Sequence, residues 1–270
     1  MTLFPAQPSR RQIIAGLALS SALPAAQSFA QVSPWADGLQ SRARLVGAGG
    51  LEEGRYLAGV EITLQPRFMT YWRMPGDAGL APSFQFTGSK NLKSAQVLYP
   101  APNRYQLKNE EAFGYRTSVT FPIRVEPLDP AAPVTLVLKL DYATCEEICI
   151  PAQAQLSLEL RPAPTSSPAQ AHLRHWLSLV PVPWTGRLSM TRQDAKSWLI
   201  SVPMEGVLDL FAEGPPDFYF ETRPQGTGFV LRLIERPAQG PAQVPVLFTI
   251  VGEKAAYDMQ ASLDLSPPTP

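Results

Sequence analysis

The two cysteines of the chain, Cys145 and Cys149, are the residues whose type and spacing point most directly to chemistry. They stand four positions apart, between two runs in which apolar and polar residues alternate. In an extended strand such residues lie about 13 Å apart, whereas a disulfide needs Cα atoms within about 7 Å. A disulfide between them therefore requires the chain to bend, which places the pair in or beside the turn of a β-hairpin.

A disulfide at this position is either structural or redox-active. A loop of five residues stabilises a fold by about 2 kcal/mol, near the low end for disulfides. A chain of 270 residues that is 45% hydrophobic can bury a core without so small a contribution. We therefore expect a redox-active pair, and an inert structural disulfide in a β-sandwich is the alternative.

The residues between the cysteines modify the expected chemistry. Glu146 and Glu147 place negative charge beside the thiols, which disfavours the thiolate. The segment also lacks the helix N-terminus that activates the attacking thiol of a Cys-x-x-Cys oxidoreductase. The pattern predicts a pair that another protein's dithiol attacks, or that hands electrons to such a dithiol.

The composition argues against binding of nucleic acid, of an anionic membrane surface or of a metal ion by histidines. Lys+Arg and Asp+Glu are equal at 23 each, so charge gives no argument for binding nucleic acid or an anionic membrane surface. His172 and His175 are spaced to share a helix face, but two ligands without further donors do not predict a metal site. No cofactor is expected, although the reduced cysteines could hold Cu(I), which soft thiolates select.

The first 30 residues resemble an export signal. Arg10 and Arg11 precede a short apolar stretch, and Ala30 ends a run with the small residues that a signal peptidase reads. The arginine pair also fits a twin-arginine signal in part, and both export routes lead to the periplasm. We expect a soluble, periplasmic mature protein in an oxidising compartment, where a cysteine pair can form a disulfide.

The elements that would position the cysteines are β-strands. Short alternating runs recur about every ten residues between Gly/Pro turns, and 29 prolines argue against a helical fold. We predict an all-β protein with two immunoglobulin-like β-sandwich domains in tandem. The predicted segments are a signal peptide (1–30), a leader (31–44), the cysteine-bearing domain (45–162), a linker with a helix at 171–180 (163–185), a second β-rich domain (186–265) and a tail (266–270).

The sequence around the cysteine pair resembles a known family, the N-terminal periplasmic domains of the DsbD/ScsB thiol:disulfide interchange proteins. The resemblance covers about residues 43–160, and the second strand-rich segment fits the longer ScsB-like form. The residues that carry it are Thr70, Tyr71, Trp72, Arg73, Pro75, Gly76, Phe113, Gly114, Tyr115, the segment 121–125, Asp141, Tyr142, Cys145, Cys149 and Pro151.

The resemblance implies an immunoglobulin-like sandwich in which Cys145 and Cys149 cycle between disulfide and dithiol. A membrane-embedded thiol reductase would reduce the pair, which would then reduce a periplasmic thioredoxin-fold protein. By position, residues 109–115 match the family's cap loop, with Phe113 as the shielding side chain. The other aromatics expected around the pair are Tyr71, Tyr115 and Tyr142.

Two features qualify what the resemblance implies. The cysteines here have three intervening residues, fewer than in the best-known DsbD members and closer to ScsB-like ones. The chain also shows no membrane or thioredoxin domain, so we expect a stand-alone module that serves a separate membrane reductase. It would be a thiol–disulfide oxidoreductase of the protein-disulfide reductase type. ScsB-like proteins are associated with copper tolerance, which keeps Cu(I) binding as the alternative.

Overall fold

The computed structural model describes residues 31–77, 79–107, 110–161 and 168–266 of the chain. Its described part is almost entirely β-strand, with a single α-helix, as the sequence predicts. The expected signal peptide, most of the expected tail, residue 162 and residues 163–167 of the expected linker lie outside the described residues.

Strands β1 to β11 form what we call the first block, residues 36–160. Their bounds are β1 Ala36–Asp37, β2 Ser41–Gly47, β3 Tyr56–Leu64, β4 Met69–Gly76, β5 Ser83–Gln85, β6 Leu92–Val97, β7 Asn103–Leu107, β8 Glu110–Arg116, β9 Ser118–Pro127, β10 Val134–Cys145 and β11 Cys149–Leu160. One sheet has the order β1-β2-β3-β9-β6. The other has the order β11-β10-β4-β8-β7, and β5 pairs with β10. We call this second sheet the cysteine sheet, because β10 and β11 contain both cysteines.

The alternation of apolar residues explains why the two sheets pack face to face. Val60 and Ile62 of β3 and Leu138 and Leu140 of β10 are fully buried in one core cluster. Successive residues of a strand point to opposite faces, so each run of alternate apolar residues covers one face of its sheet. The result is the predicted β-sandwich, with its core between the sheets.

The helix α1, Pro168–Ser178, packs against the first block and not between the blocks as a free linker. It begins three residues before the predicted start, with proline in the first turn, where the missing N–H costs nothing. Leu173 is fully buried against the sheet. A Cβ at Gly59 would lie 2.5 Å from the Cδ2 atom of Leu173, so the glycine makes room for the helix.

Strands β12 to β19 form the second block, residues 182–264. Their bounds are β12 Val182–Pro183, β13 Ser189–Arg192, β14 Ser197–Ser201, β15 Val207–Glu213, β16 Tyr219–Gln225, β17 Gly228–Glu235, β18 Gln243–Gly252 and β19 Ala256–Asp264. They form two four-stranded sheets, β12-β19-β18-β15 and β13-β14-β17-β16. A second core cluster lies between them, with Ile200, Leu231, Val246 and Phe248 at its centre.

The start of the first block differs from the sequence prediction. Residues 36–37 and 41–44, expected in a leader, belong to β1 and β2, and Ala43 is fully buried. The polar residues that hid this strand are Arg42 and Arg44, whose guanidinium groups lie 4.3 and 4.2 Å from the ring centroid of Trp35. They alternate with Ala43 and Leu45, which is the pattern of a half-buried strand. The other domain limits stay predictions.

Candidate redox site

The two cysteines are bonded to each other at the end of the β10–β11 hairpin. Cys145 is the last residue of β10, Cys149 is the first of β11, and the two are register partners. Three residues, Glu146 to Ile148, make the turn between them. The bend that the spacing requires brings the two Cα atoms to 4.2 Å.

The disulfide lies on the outer face of the cysteine sheet, away from the sandwich core. Leu138, Leu140 and Tyr142 of β10 point into the core, so Ala143 and Cys145 point outward. Cys145 belongs to a separate apolar cluster with Met69, Tyr71 and Ala112. The outer position leaves the pair beside solvent instead of inside the core.

The two sulfur-bearing residues differ in exposure. Cys145 is 2% exposed and lies in a cluster with Met69 of β4, against which Tyr105 and Leu107 of β7 pack. Cys149 is an exposed residue, and so is its neighbour Ile148, at 77%. An incoming thiol can therefore reach Cys149 before Cys145.

Tyr71 of β4 is the aromatic residue in direct contact with the pair. Its hydroxyl donates a hydrogen bond to the Sγ atom of Cys149 at 3.2 Å, since a disulfide sulfur has no proton to give. Burial, and then the charge of Glu110, raise the pKa of Tyr71 above its ordinary value. The hydroxyl thus stays protonated and remains a donor across the neutral pH range.

Gly79 holds the ring of Tyr71 in place. A Cβ on Gly79, which has φ +147°, would lie 2.3 Å from the ring atom Cε1. Only a residue without a side chain lets the backbone approach the ring so closely. The same loop is tied to β8 by Asp77, which accepts a hydrogen bond from the backbone N–H of Glu111 at 2.8 Å.

Charges of both signs surround the pair, whereas the sequence analysis expected only the negative charge of Glu146 and Glu147 beside the thiols. Glu146 forms an ion pair with Arg67 at 2.6 Å, while Glu147 is exposed. Arg116 of β8 lies over the ring of Tyr105, 4.5 Å from its centroid. Both arginines line a groove of about 230 Å³ next to Cys145. The cationic groups therefore offset the negative charge that the turn sequence places beside the sulfurs.

Three of the four predicted shielding aromatics lie on the opposite face of the sheet. Phe113 and Tyr115 of β8 belong to the main core, and so does Tyr142, whose hydroxyl pairs with the hydroxyl of Ser41 at 2.7 Å. The Tyr115 hydroxyl donates to the carbonyl of Pro100 at 2.6 Å. Phe113 therefore does not shield the disulfide in this structure.

Phe113 points away from the disulfide because alternate residues of β8 face opposite sides of the sheet. Residues 110–115, expected in a cap loop, lie in the strand β8, so neighbours point to opposite faces. Ala112 faces the cysteines and Phe113 faces the second block, where its ring centroid lies 4.9 Å from that of Phe211. The first residue of the expected cap loop, Asn109, lies outside the described residues.

The sequence analysis does not identify Met69, Tyr105 and Leu107, the residues that form or pack against the apolar cluster around Cys145. Tyr105 and Leu107 were overlooked because residues 100–103 contain two prolines and an asparagine, which indicate a break. The spacing of Tyr105 and Leu107, two positions apart just after that break, is the strand signal that could have found them.

The described residues contain no group of three or more His, Cys, Asp or Glu side chains placed to hold a metal ion. His172 bonds through Nε2 to the hydroxyl of Thr120 at 2.8 Å. Cysteine binds metal as a thiolate, so the Cu(I) alternative concerns only the reduced pair. In the part of the chain that the structure describes, no helix has the length and apolar character needed to span a bilayer.

Known proteins resemble this chain in sequence and in fold. Residues 50–161 match the model of the family described as "Thiol:disulfide interchange protein DsbD, N-terminal". Among solved structures, the chain is similar to the N-terminal periplasmic domain of ScsB from Proteus mirabilis, with a TM-score of 0.68 and 18% identity over 87% of this chain and 99% of that one. No curated protein matches. The structural match extends beyond residues 50–161, so the fold of the second block is shared as well.

Proposed function

We propose that Cys145 and Cys149 form a redox centre that exchanges electrons with other proteins, since residues 50–161 match the model of the DsbD N-terminal family. The observation that carries the proposal is the position of the pair. It lies on the outer face of a sheet with one exposed and one buried cysteine. A disulfide that only stabilised the fold would need neither the exposure of Cys149 nor the hydroxyl of Tyr71 at its sulfur.

The difference in exposure assigns the two cysteines different roles. A thiolate of a partner dithiol attacks the Sγ atom of Cys149, forms a mixed disulfide and displaces Cys145 as a thiolate. The second thiol of the partner then attacks the mixed disulfide and releases Cys149. The partner leaves as a disulfide, and the pair has taken up two electrons and two protons. Run in reverse, the same steps pass the electrons to another protein's disulfide.

The surroundings of Cys145 support its role as the leaving group. The groove beside it is lined by Arg67, Arg116 and Glu146, and Glu146 pairs with Arg67. Arg116 therefore supplies the net positive charge that favours a thiolate over a thiol. The Tyr71 hydroxyl lies at the other sulfur, where a donated hydrogen bond stabilises the charge that develops on Cys149 when that residue leaves. Each cysteine thus has a group suited to stabilising its thiolate.

The family suggests the kind of partner and the compartment. We assign a thioredoxin-fold protein and a membrane-embedded reductase of the DsbD/ScsB type as partners, and the periplasm as the location. Support for the location comes from the resemblance of residues 1–30 to an export signal and from the similar solved domain, which is described as periplasmic. An exposed Ile148 beside Cys149 offers an apolar contact to a docking partner.

Single-cysteine variants test the proposal. Cys145→Ser leaves only the exposed thiol, which should rapidly attack the disulfide reagent dithiobis(nitrobenzoate), forming a mixed disulfide with one half and releasing the other half as 5-thio-2-nitrobenzoate. Cys149→Ser should react at least about tenfold more slowly because its thiol is buried. Rates are followed by absorbance, with the double Cys→Ser variant as the blank. Equal rates would contradict the assignment of Cys149 as the site of attack.

The reduction potential of the wild-type pair tests the function itself. Equilibration in graded thiol buffers, followed by alkylation and mass spectrometry, should place the pair between about −150 and −270 mV, the range of redox-active couples. A potential below about −300 mV would mark a structural disulfide and would overturn the proposed function.

A further inference from the structure

The hairpin formed by β7 and β8 has one face on the redox site and the other on the second block. Its outer face places Tyr105, Leu107 and Ala112 against the cluster of Met69, Tyr71 and Cys145. Its inner face carries Arg104, Glu111 and Phe113, which face the second block. Whatever holds the inner face therefore also positions the cover of Cys145.

Arg104 makes most of the contacts between the hairpin and the second block. Its guanidinium donates to both carboxylate oxygens of Asp209, at 3.0 and 2.9 Å, and to the carbonyl of Leu210 at 3.1 Å. It also donates to the hydroxyl of Thr222 at 3.1 Å. Asp209 lies on β15 and Thr222 on β16, so one side chain is bonded to both sheets of the second block.

The contact is largely buried. The side chains of Arg104, Glu111 and Asp209 are 17, 9 and 18% exposed. Burial by itself lowers the pKa of the Arg104 guanidinium, but the hydrogen bonds and charges of Asp209 and Glu111 together raise it. Removal of one partner would leave the others buried without a counter-charge, which is strongly unfavourable.

Two aromatic rings extend the same contact. The ring of Phe211, on β15, is 1% exposed, belongs to the core cluster of the first block and packs edge-on against Phe113. The guanidinium of Arg104 lies 4.8 and 4.9 Å from the centroids of Phe113 and Phe211. Glu111 also bonds to Arg223 of the second block at 3.1 Å.

Within its own sheet the hairpin is paired along a short, irregular ladder. β7 is the edge strand, and β8 pairs with β4 at residues 69–71 and again at Gly76, with an irregular register between. A hairpin with so short a ladder depends on its other contacts for its position.

We propose that the second block holds the β7–β8 hairpin closed over Cys145 through Arg104. With the hairpin closed only Cys149 is open to attack, and opening it would expose the second sulfur, so the contact limits how fast thiols reduce the pair. The inference rests on the proposed thiol–disulfide exchange at this site and assigns to the second block a role in it. Arg104 is a positioning residue, because it touches neither sulfur and acts through Tyr105 and Leu107.

The test compares rates of disulfide reduction by excess dithiothreitol in the full chain. The dithiol becomes its cyclic disulfide as the cysteine pair gains two electrons and two protons. Arg104→Ala should speed reduction about 5- to 20-fold, the size of a typical coupling between sites. Asp209→Asn, which changes only the second block, should act in the same direction, and Arg104→Lys should restore part of the wild-type rate.

The control is Arg44→Ala, which removes the ion pair with Glu61 at 2.7 Å in the other sheet of the first block. It should lower the melting temperature without changing the rate. Hydrogen exchange of residues 105–107 and 110–113 reports the hairpin directly and should rise in Arg104→Ala and Asp209→Asn alone.

Wild-type rates in folded Arg104→Ala and Asp209→Asn would overturn the inference, whether or not the hairpin exchanges faster. Equal acceleration in Arg44→Ala would overturn it as well, since the effect would then reflect general stability. Dithiothreitol in excess reduces an accessible disulfide at any of the potentials considered above. The rate ratio therefore tests the inference even if the potential contradicts the proposed function.

Discussion

The two faces of the cysteine sheet are built from the same strands but carry different properties. The inner face buries large side chains such as Trp72 and Leu140, both fully buried in the main core. The outer face carries the disulfide under a thin cover, with Cys149 exposed. In a strand, a single step along the chain separates a residue that stabilises the fold from one that shapes the chemistry.

Two pairs of neighbouring residues show this difference between the inner and outer faces. Trp72 packs against Phe211 with ring centroids 5.5 Å apart, whereas Tyr71 donates to the sulfur of Cys149. Phe113 is held by the second block, whereas Ala112 faces Cys145. If this division is correct, inner-face substitutions should change stability and outer-face substitutions should change reactivity.

The largest effect is expected on the inner face. Leu140→Ala removes a fully buried side chain and should lower the free energy of unfolding by about 2–5 kcal/mol. Urea denaturation measures the loss. The rate at which dithiothreitol reduces the folded protein should stay at the wild-type value, because Leu140 and Cys145 lie on opposite faces. A large change in that rate at unchanged secondary structure would break the comparison.

Removal of the disulfide should have a smaller effect on stability. The double variant Cys145→Ser, Cys149→Ser should lose about 2 kcal/mol, the value for a five-residue loop. Its circular dichroism should match the wild type, since Cys149 is exposed and the outer cluster is small. A loss as large as that of Leu140→Ala would indicate that the disulfide is structural.

Much of the inner face could be predicted from the sequence. The two alternating runs that flank the cysteines are the strands β10 and β11, Val134–Cys145 and Cys149–Leu160. The cysteine pair could be placed at a hairpin turn because four residues cannot otherwise bring two Cα atoms close enough. Periodicity reports burial on a face, and these elements have one face buried.

The cover of the redox site could not be predicted in the same way. Family position suggested Phe113 as the shield, but only the strand parity of β8 shows that Ala112 faces the sulfurs. Arg104 gave no signal, since its partners Asp209 and Thr222 lie more than 100 positions away. Contacts between distant segments leave no local pattern in a single sequence.

Two tyrosines offer a matched test of the faces. Tyr71→Phe removes the donor to Cys149, and in a Cys145→Ser background it should slow the reaction of Cys149 with iodoacetamide about three- to tenfold, the net worth of a typical hydrogen bond. Tyr115→Phe removes the inner-face bond to the carbonyl of Pro100 and should leave that rate unchanged. Equal effects of the two substitutions would remove the distinction between the faces.

Ionisation of the tyrosine hydroxyls should have the smallest effect at neutral pH, because these groups titrate only in alkali. Burial raises the pKa of Tyr71 above 10.0 and raises that of Tyr115 much further. Each folded tyrosine therefore binds its proton more tightly than the unfolded chain does. Its stabilisation is complete below pH 10 and is lost as the pH rises through the folded pKa.

Urea denaturation between pH 9 and 11 should accordingly show a falling free energy of unfolding. Tyr115→Phe should remove more of this loss than Tyr71→Phe, since the inner hydroxyl is buried in the core and the outer one lies beside an exposed cysteine. A larger contribution from Tyr71 would mean that the outer cluster excludes water as completely as the core. In that case the access of thiols to Cys145 would depend on movement of the β7–β8 hairpin alone.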